Sequence, residues 1–163
     1  MQSMFSPLPH HIKVINDAVM GGQSTSSVHI IEQGILFSGE VSLANNGGFA
    51  SMRSQWPWLN RQPAVKNHNL IQLRVKGDGK RYQFRLFTAD NIDGSAYVYN
   101  FATKNNKSVT ISIAFSEFSP RFRGRPIQKP PLDLNNILEY GLLIGDKQEG
   151  GFAVFLESLS TID

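Results

Sequence analysis

The sequence predicts an all-β fold, an antiparallel β-sandwich of the jelly-roll kind. Three observations carry that expectation. Ile71, Leu73 and Val75 alternate with Gln72, Arg74 and Lys76, the period of a half-buried strand, and other short runs repeat the pattern. Gly, Asn, Asp and Pro punctuate the chain about every 8–12 residues, the spacing of sandwich turns. No segment sustains helical spacing of its apolar residues.

The 163 residues suit a single domain, with residues 1–12 as an irregular lead-in and residues 13–163 as the sandwich. Val28 to Ile31 and Ile35 to Val41 flank Gln33-Gly34 and read as a hairpin. A short strand is expected from Phe49 to Arg53, followed by a loop over residues 54–69. Ile71 to Lys76 and Tyr82 to Leu86 flank Gly77-Asp78-Gly79 and read as the cleanest hairpin of the chain. Tyr97 to Phe101 and Val109 to Ile113 follow as strands, each after a turn. Residues 116–135 hold four prolines and read as a long basic connection, and Tyr140 to Ile144 and Phe152 to Leu159 close the sequence.

Composition excludes several kinds of chemistry. With no cysteine there is no disulfide, thiolate nucleophile or cysteine-bound metal. No Gly-x-Ser-x-Gly or His-Glu-x-x-His occurs, and the four histidines have no motif around them. Residues 90–94 fail as a calcium loop, because Ile92 and Gly94 fall where oxygen ligands are needed. Gly77-Asp78-Gly79-Lys80 lies between strands and opens no helix, so it is a turn and not a phosphate loop. No enzyme activity, metal or cofactor is expected. No apolar run is long enough for a membrane helix, and residues 1–13 contain no secretory core, so a cytoplasmic location is expected, at most peripheral to a membrane.

Charge is unevenly spread. Between positions 53 and 85 eight basic residues face Asp78 alone, and Arg121, Arg123, Arg125 and Lys129 have no acid among them. Such runs are either a solvated face or a weak site for polyanions or anionic lipid, with nucleic acid the least expected partner.

Two polar stretches each carry a Gly-Gly pair: residues 16–24, with Asn16, Asp17, Gly21, Gly22, Gln23 and Ser24, and residues 45–51, with Asn45, Asn46, Gly47 and Gly48. Glycine pairs beside Asn, Asp and Ser make sharp turns, and loops on a rigid scaffold often carry function. Asn16, Asp17, Gln23, Ser24, Asn45 and Asn46 are expected to meet at one end or edge of the sandwich and to join Arg123 and Arg125 around a shallow binding recess, with Asp17 clasping backbone N–H groups and the two arginines contacting a partner. Gly77, Asp78 and Gly79 are expected as a structural turn.

These two stretches, with 75–82, Phe122-Arg123-Gly124-Arg125 and 144–152, resemble the complex I intermediate-associated protein family over residues 14–162. That family is named for a protein accompanying assembly intermediates of mitochondrial NADH:ubiquinone oxidoreductase. The resemblance implies a galactose-binding-like jelly roll and a non-catalytic binding module that acts in complex assembly. Its partner would be a protein, a respiratory-complex subunit or an assembly intermediate. A carbohydrate-binding module is the alternative, with Trp56 and Trp58 stacking on sugar rings where they do not instead plug the end of the sandwich.

Overall fold

The computed structural model describes residues 2–3, 12–17, 21–32, 34–58, 69–89 and 94–162. Among these residues thirteen strands form two antiparallel sheets. They are β1 (Gln2–Ser3), β2 (Lys13–Asn16), β3 (Thr25–Ile31), β4 (Gly34–Val41), β5 (Ala50–Gln55), β6 (Leu70–Lys76), β7 (Arg81–Thr88), β8 (Ala96–Ala102), β9 (Ser108–Ala114), β10 (Ser119–Phe122), β11 (Arg125–Pro126), β12 (Ile137–Ile144) and β13 (Gly150–Ile162). The six-stranded sheet runs β3-β4-β13-β6-β9, with β1 also paired to β13, and the seven-stranded sheet runs β11-β10-β8-β7-β12-β5-β2. Helix is confined to single 3-10 turns among the described residues.

Period-2 alternation sends one set of side chains into the space between the sheets. Ile35 and Phe37, Ile71, Leu73 and Val75, and Val154 and Leu156 come from the first sheet. Met52, Tyr82, Phe84 and Leu86, and Tyr140 and Leu142 come from the second. Phe37 meets Phe152 of the same sheet edge-on at 5.0 Å between ring centroids, and Tyr82 of the other sheet joins the layers 6.4 Å from Phe152. Each such side chain contributes about 1.5–3 kcal/mol by leaving water.

Three local expectations are corrected. The 71–86 segment is not a hairpin: β6 pairs with β13 and β9, whereas β7 pairs with β8 and β12 in the other sheet. Alternation marks a half-buried strand but does not name its neighbour. Residues 77–80 instead carry the chain from one sheet to the other. They lie against the 103–107 segment, which carries it back, through Thr103 N–H to Lys80 O at 3.1 Å and Asn106 N–H to Gly77 O at 2.9 Å. Asp78 braces this corner by accepting from Lys80 N–H at 3.0 Å, the Tyr82 hydroxyl at 3.0 Å and Ala153 N–H at 2.9 Å. Burial, then the Asp78 charge, pushes the Tyr82 hydroxyl pKa up.

The second correction concerns residues 116–135, which are not simply a connection. They contain the β10–β11 hairpin, placed at the edge of the seven-stranded sheet, where prolines cost no ladder bond. The third concerns the lead-in, where Gln2 and Ser3 pair with Ile162 and Thr161. Residues 59–68 and 90–93, within the expected 54–69 loop and the 90–94 turn, lie outside the described residues.

Candidate functional site

One end of the sandwich is closed by Asp17, at the end of β2. Its side chain is only 1% exposed. Oδ1 accepts from Ser24 N–H at 2.9 Å, and Oδ2 accepts from the Ser24 hydroxyl at 2.6 Å, Gly48 N–H at 2.6 Å and Phe49 N–H at 3.2 Å. The carboxylate thus joins the two Gly-Gly stretches. Burial alone would raise its pKa; the bonds from Ser24, Gly48 and Phe49 outweigh that and hold the carboxyl below its ordinary range.

The glycines differ in what they supply. A Cβ on Gly22 would overlap the Asp17 side chain, and one on Gly47 would lie 2.5 Å from Asp17 Oδ2. Gly47 has an ordinary φ of −72°, so it provides room and not an unusual backbone. Gly21, at φ +88° with open space around it, provides the backbone conformation instead. Asn16 Oδ1 accepts from the Ser26 hydroxyl at 2.8 Å and Ser51 N–H at 3.3 Å, and Asn45 Nδ2 donates to Gly21 O at 3.2 Å. Asn45 and Asn46 both hold positive φ, 56° and 60°, a region Asn enters more readily than most residues. Gln23 is exposed. Residues 18–20 lie outside the described residues.

The second feature is a groove of about 430 Å³ on the outer face of the seven-stranded sheet. Pairing sets its residues in rows. Ser51, Leu143, Gln83 and Asn100 lie abreast on β5, β12, β7 and β8. Arg53, Gly141, Arg85 and Val98 form the next row. Phe49 and Ile15 line one side, and the Arg123-Gly124 turn of the β10–β11 hairpin lines the other. Phe87, Ala96 and Val98 make a small apolar cluster on this face, and Ile15, Phe49 and Leu143 add apolar surface beside the polar Ser51, Arg53, Gln83 and Arg85.

Arginines dominate the groove. Arg53 NH1 lies 3.7 Å from Glu139, and its guanidinium sits 3.7 Å above the Phe87 ring centre. Burial lowers the Arg53 pKa, and Glu139 opposes the shift. Arg85 has no such support: its Nε is shut from solvent with no hydrogen-bond partner, as is Gln83 Oε1 two residues before. Burial, and then the charge of Arg53, brings the Arg85 pKa down to about 10. Arg121 is occupied by Ser119 Oγ at 3.1 Å and Gly124 O at 3.3 Å. Arg123 holds φ +50° in a two-residue turn where Asn or Gly would be less strained.

The structure therefore separates the residues singled out from sequence. Asn16, Asp17, Ser24, Asn45 and Gly48 meet at the clasp. Asn46 borders a shallow recess beside it, together with Phe49, Asp146 and Lys147. Arg123 lines the groove and not that recess, whereas Arg125 is exposed on β11. Trp56 and Trp58 correct the sugar-stacking expectation: at 0% and 3% exposure they pack edge-on against each other at 4.9 Å inside the core. Sequence reading passed over Gln83, Leu143 and Gly141, and it saw Arg53 and Arg85 only as members of a basic run. For Gln83 and Arg85 the signal was the polar half of an alternating strand, which has the same appearance on a solvated face; Leu143 and Gly141, in the non-alternating β12, carried none. Among the described residues no cluster of three or more His, Asp or Glu could hold a metal, and no helix is long and apolar enough to cross a membrane.

A family model described as complex I intermediate-associated protein 30 (CIA30) matches residues 6–156. The chain belongs to that family. Among curated proteins, "Uncharacterized protein C9E9.15" of Schizosaccharomyces pombe is 28% identical over 170 residues, covering 92% of this chain and 77% of that protein. Among solved structures, CtCBM11 in solution matches with a TM-score of 0.63 at 19% identity, covering 99% of this chain and 94% of that one. The family 11 carbohydrate-binding module from Clostridium thermocellum, in complex with a β-1,3-1,4-mixed-linked tetrasaccharide, matches with a TM-score of 0.56 at 18% identity over 99% and 88% of the two chains. These likenesses identify the CIA30 chain's fold as the jelly roll of such modules, and together with the family they make it a binding module.

Proposed function

We propose that this CIA30-family protein is a non-catalytic interaction module that holds a segment of a protein partner in the groove of its seven-stranded sheet. The partner would be a subunit or intermediate of a complex under assembly, and we assign the protein to the cytoplasm, reaching a membrane only through that partner. One observation carries the reading: the groove keeps polar groups that the fold leaves unanswered, Arg85 Nε and Gln83 Oε1, whereas the clasp satisfies its own. The family's description supports a partner that is itself being assembled. In this division of labour the Asn16, Asp17, Ser24 and Asn45 loops are scaffold. By anchoring Phe49 N–H, Asp17 fixes the rim of the groove. Arg123 then reaches the partner from the opposite rim.

A sugar ligand has less support. A stacking platform would have to be an open aromatic face; of the two rings lining the groove, Phe87 is 5% exposed beneath Arg53 and Phe49 is half-buried at the rim.

The test is affinity capture from the native host, read by mass spectrometry, with the wild type and Leu143→Trp. Leu143 is half-buried on the groove floor, so the indole obstructs the groove without changing its charge. The expected result is a reproducible partner lost in the variant, with the thermal midpoint held. A partner retained at wild-type level by a folded Leu143→Trp protein overturns the reading.

A further inference from the structure

We infer that the centre of the groove, where Arg53 and Arg85 flank Gly141, is a receptor for a carboxylate on an acidic segment of the partner polypeptide. This rests on the reading of the groove as the partner site and adds the chemistry of what enters it.

Gly141 pairs with Arg53 on one side and Arg85 on the other. Neighbouring strands lie about 4.8 Å apart, so the two arginine Cα atoms stand roughly 10 Å from each other across a position with no side chain. A Cβ at Gly141 would press on Met52 O and come within 3.5 Å of Arg53 Cγ. Gly141, itself buried, therefore places no side chain between the two arginines.

Charge counting selects the occupant. Arg53 and Arg85 bring two positive charges; Glu139 returns one, at 3.7 Å from Arg53, and shares it with exposed Lys13 at 3.5 Å. With Lys13 and with Arg123 on the rim, four cations face this one acid, and the Nε of half-buried Arg85 is shut from solvent. A guanidinium does not relieve itself by losing its proton at neutral pH, and an unpaired buried charge is costly. Among the described residues nothing accepts from Arg85 Nε. The surplus calls for an anion, and a planar carboxylate meets a guanidinium fork through two parallel hydrogen bonds. Gln83 Oε1, on the same face of β7, awaits a donor. An acidic polypeptide offers both groups at once, the side-chain carboxylate to Arg85 and a backbone N–H to Gln83. Leu143 and Phe49 give the rest of such a segment apolar surface to lie on.

The experiment titrates the protein at low salt with an N-acetylated Gly-Glu repeat peptide, its Gly-Gln counterpart, a galacturonate oligosaccharide and inorganic phosphate. Calorimetry gives affinity, and the Arg85 Nε–H resonance reports contact. The Gly-Glu peptide is expected to bind at least about tenfold tighter than Gly-Gln and to shift that resonance. Arg85→Gln should remove the preference, and Arg85→Lys should lose most of it. Equal binding of the two peptides overturns the inference on the wild type alone, whatever the variants do. So does tighter binding of galacturonate or phosphate than of Gly-Glu, or undiminished preference in a folded Arg85→Gln protein. Loss of host capture by Leu143→Trp with no Gly-Glu preference would leave the groove reading standing and remove the carboxylate. Full capture by Leu143→Trp would remove the groove itself.

Discussion

Asp17 and Arg85 are both charged, both withdrawn from water, and surrounded in opposite ways. Asp17 receives four hydrogen bonds from Ser24, Gly48 and Phe49, and its pKa falls despite burial. Arg85 Nε finds no acceptor among the described residues, and its pKa falls because of burial and then the charge of Arg53. In the acid the shift records stabilisation of the charged form; in the base it records destabilisation of it. The same direction thus has opposite meanings. Asp17 belongs to the architecture, and Arg85 is a group the architecture has kept free for something else.

Replacing each charge is the most direct way to break this contrast. Asp17→Ala leaves several buried donors without an acceptor and is expected to cost about 2–5 kcal/mol, read by urea unfolding. A loss below about 1 kcal/mol would make the clasp incidental. The loss should depend on pH with a fixed sign. The folded pKa lies below the ordinary 3.8, so the contribution is complete above the unfolded value and disappears as pH falls through the folded one. The wild-type and Asp17→Ala midpoints should be well apart at neutral pH and converge below about pH 3.8. A gap that stays constant through that range would assign the loss to packing.

A smaller effect sharpens the clasp itself. Gly22→Ala pushes a methyl group into the Asp17 carboxylate and should cost about 1–3 kcal/mol. Gly21→Ala has free space and pays only for its left-handed backbone, about 1–2 kcal/mol. Equal stability of Gly22→Ala and wild type by thermal melting would show that the carboxylate yields easily. The smallest change is on the other side of the comparison. Arg85→Met removes an unpaired charge while keeping an apolar stem, so the midpoint should stay within about 0.5 kcal/mol of wild type or rise. A clear destabilisation by Arg85→Met would make Arg85 a structural group like Asp17.

What the sequence made legible follows from what local pattern encodes. Alternation at Ile71–Val75 and at Val109–Ile113 marks strands, because a sandwich buries every second side chain of each. The identity of their neighbours depends on contacts far along the chain, which is why the 77–80 corner resembles a hairpin turn until its pairing is seen. Asp17 was legible because carboxylate, glycine pairs and serine together describe a clasp. Arg85 was not, because an outward arginine on a solvated strand and one on a groove floor share the same spacing. What separates them is β12 on one flank, β8 on the other and the hairpin turn at Arg123 above, all distant in sequence. Trp56 and Trp58 were misplaced for the converse reason: tryptophan serves cores and sugar platforms alike, and only burial distinguishes them.

The order of the strands also constrains when this molecule can exist during its own synthesis. β12 lies between β7 and β5, and β13 between β4 and β6, so the middle of each sheet is made from residues translated after 136. Until those residues leave the ribosome, β4, β5, β6 and β7 each present an apolar strand with a vacant hydrogen-bonding edge. Such edges are templates for pairing with the wrong chain. A nascent chain paused before β12 is therefore in its most aggregation-prone form, and chaperone occupancy should be greatest there. Both sheets then close late, through contacts of long sequence separation, which is the slow regime of folding.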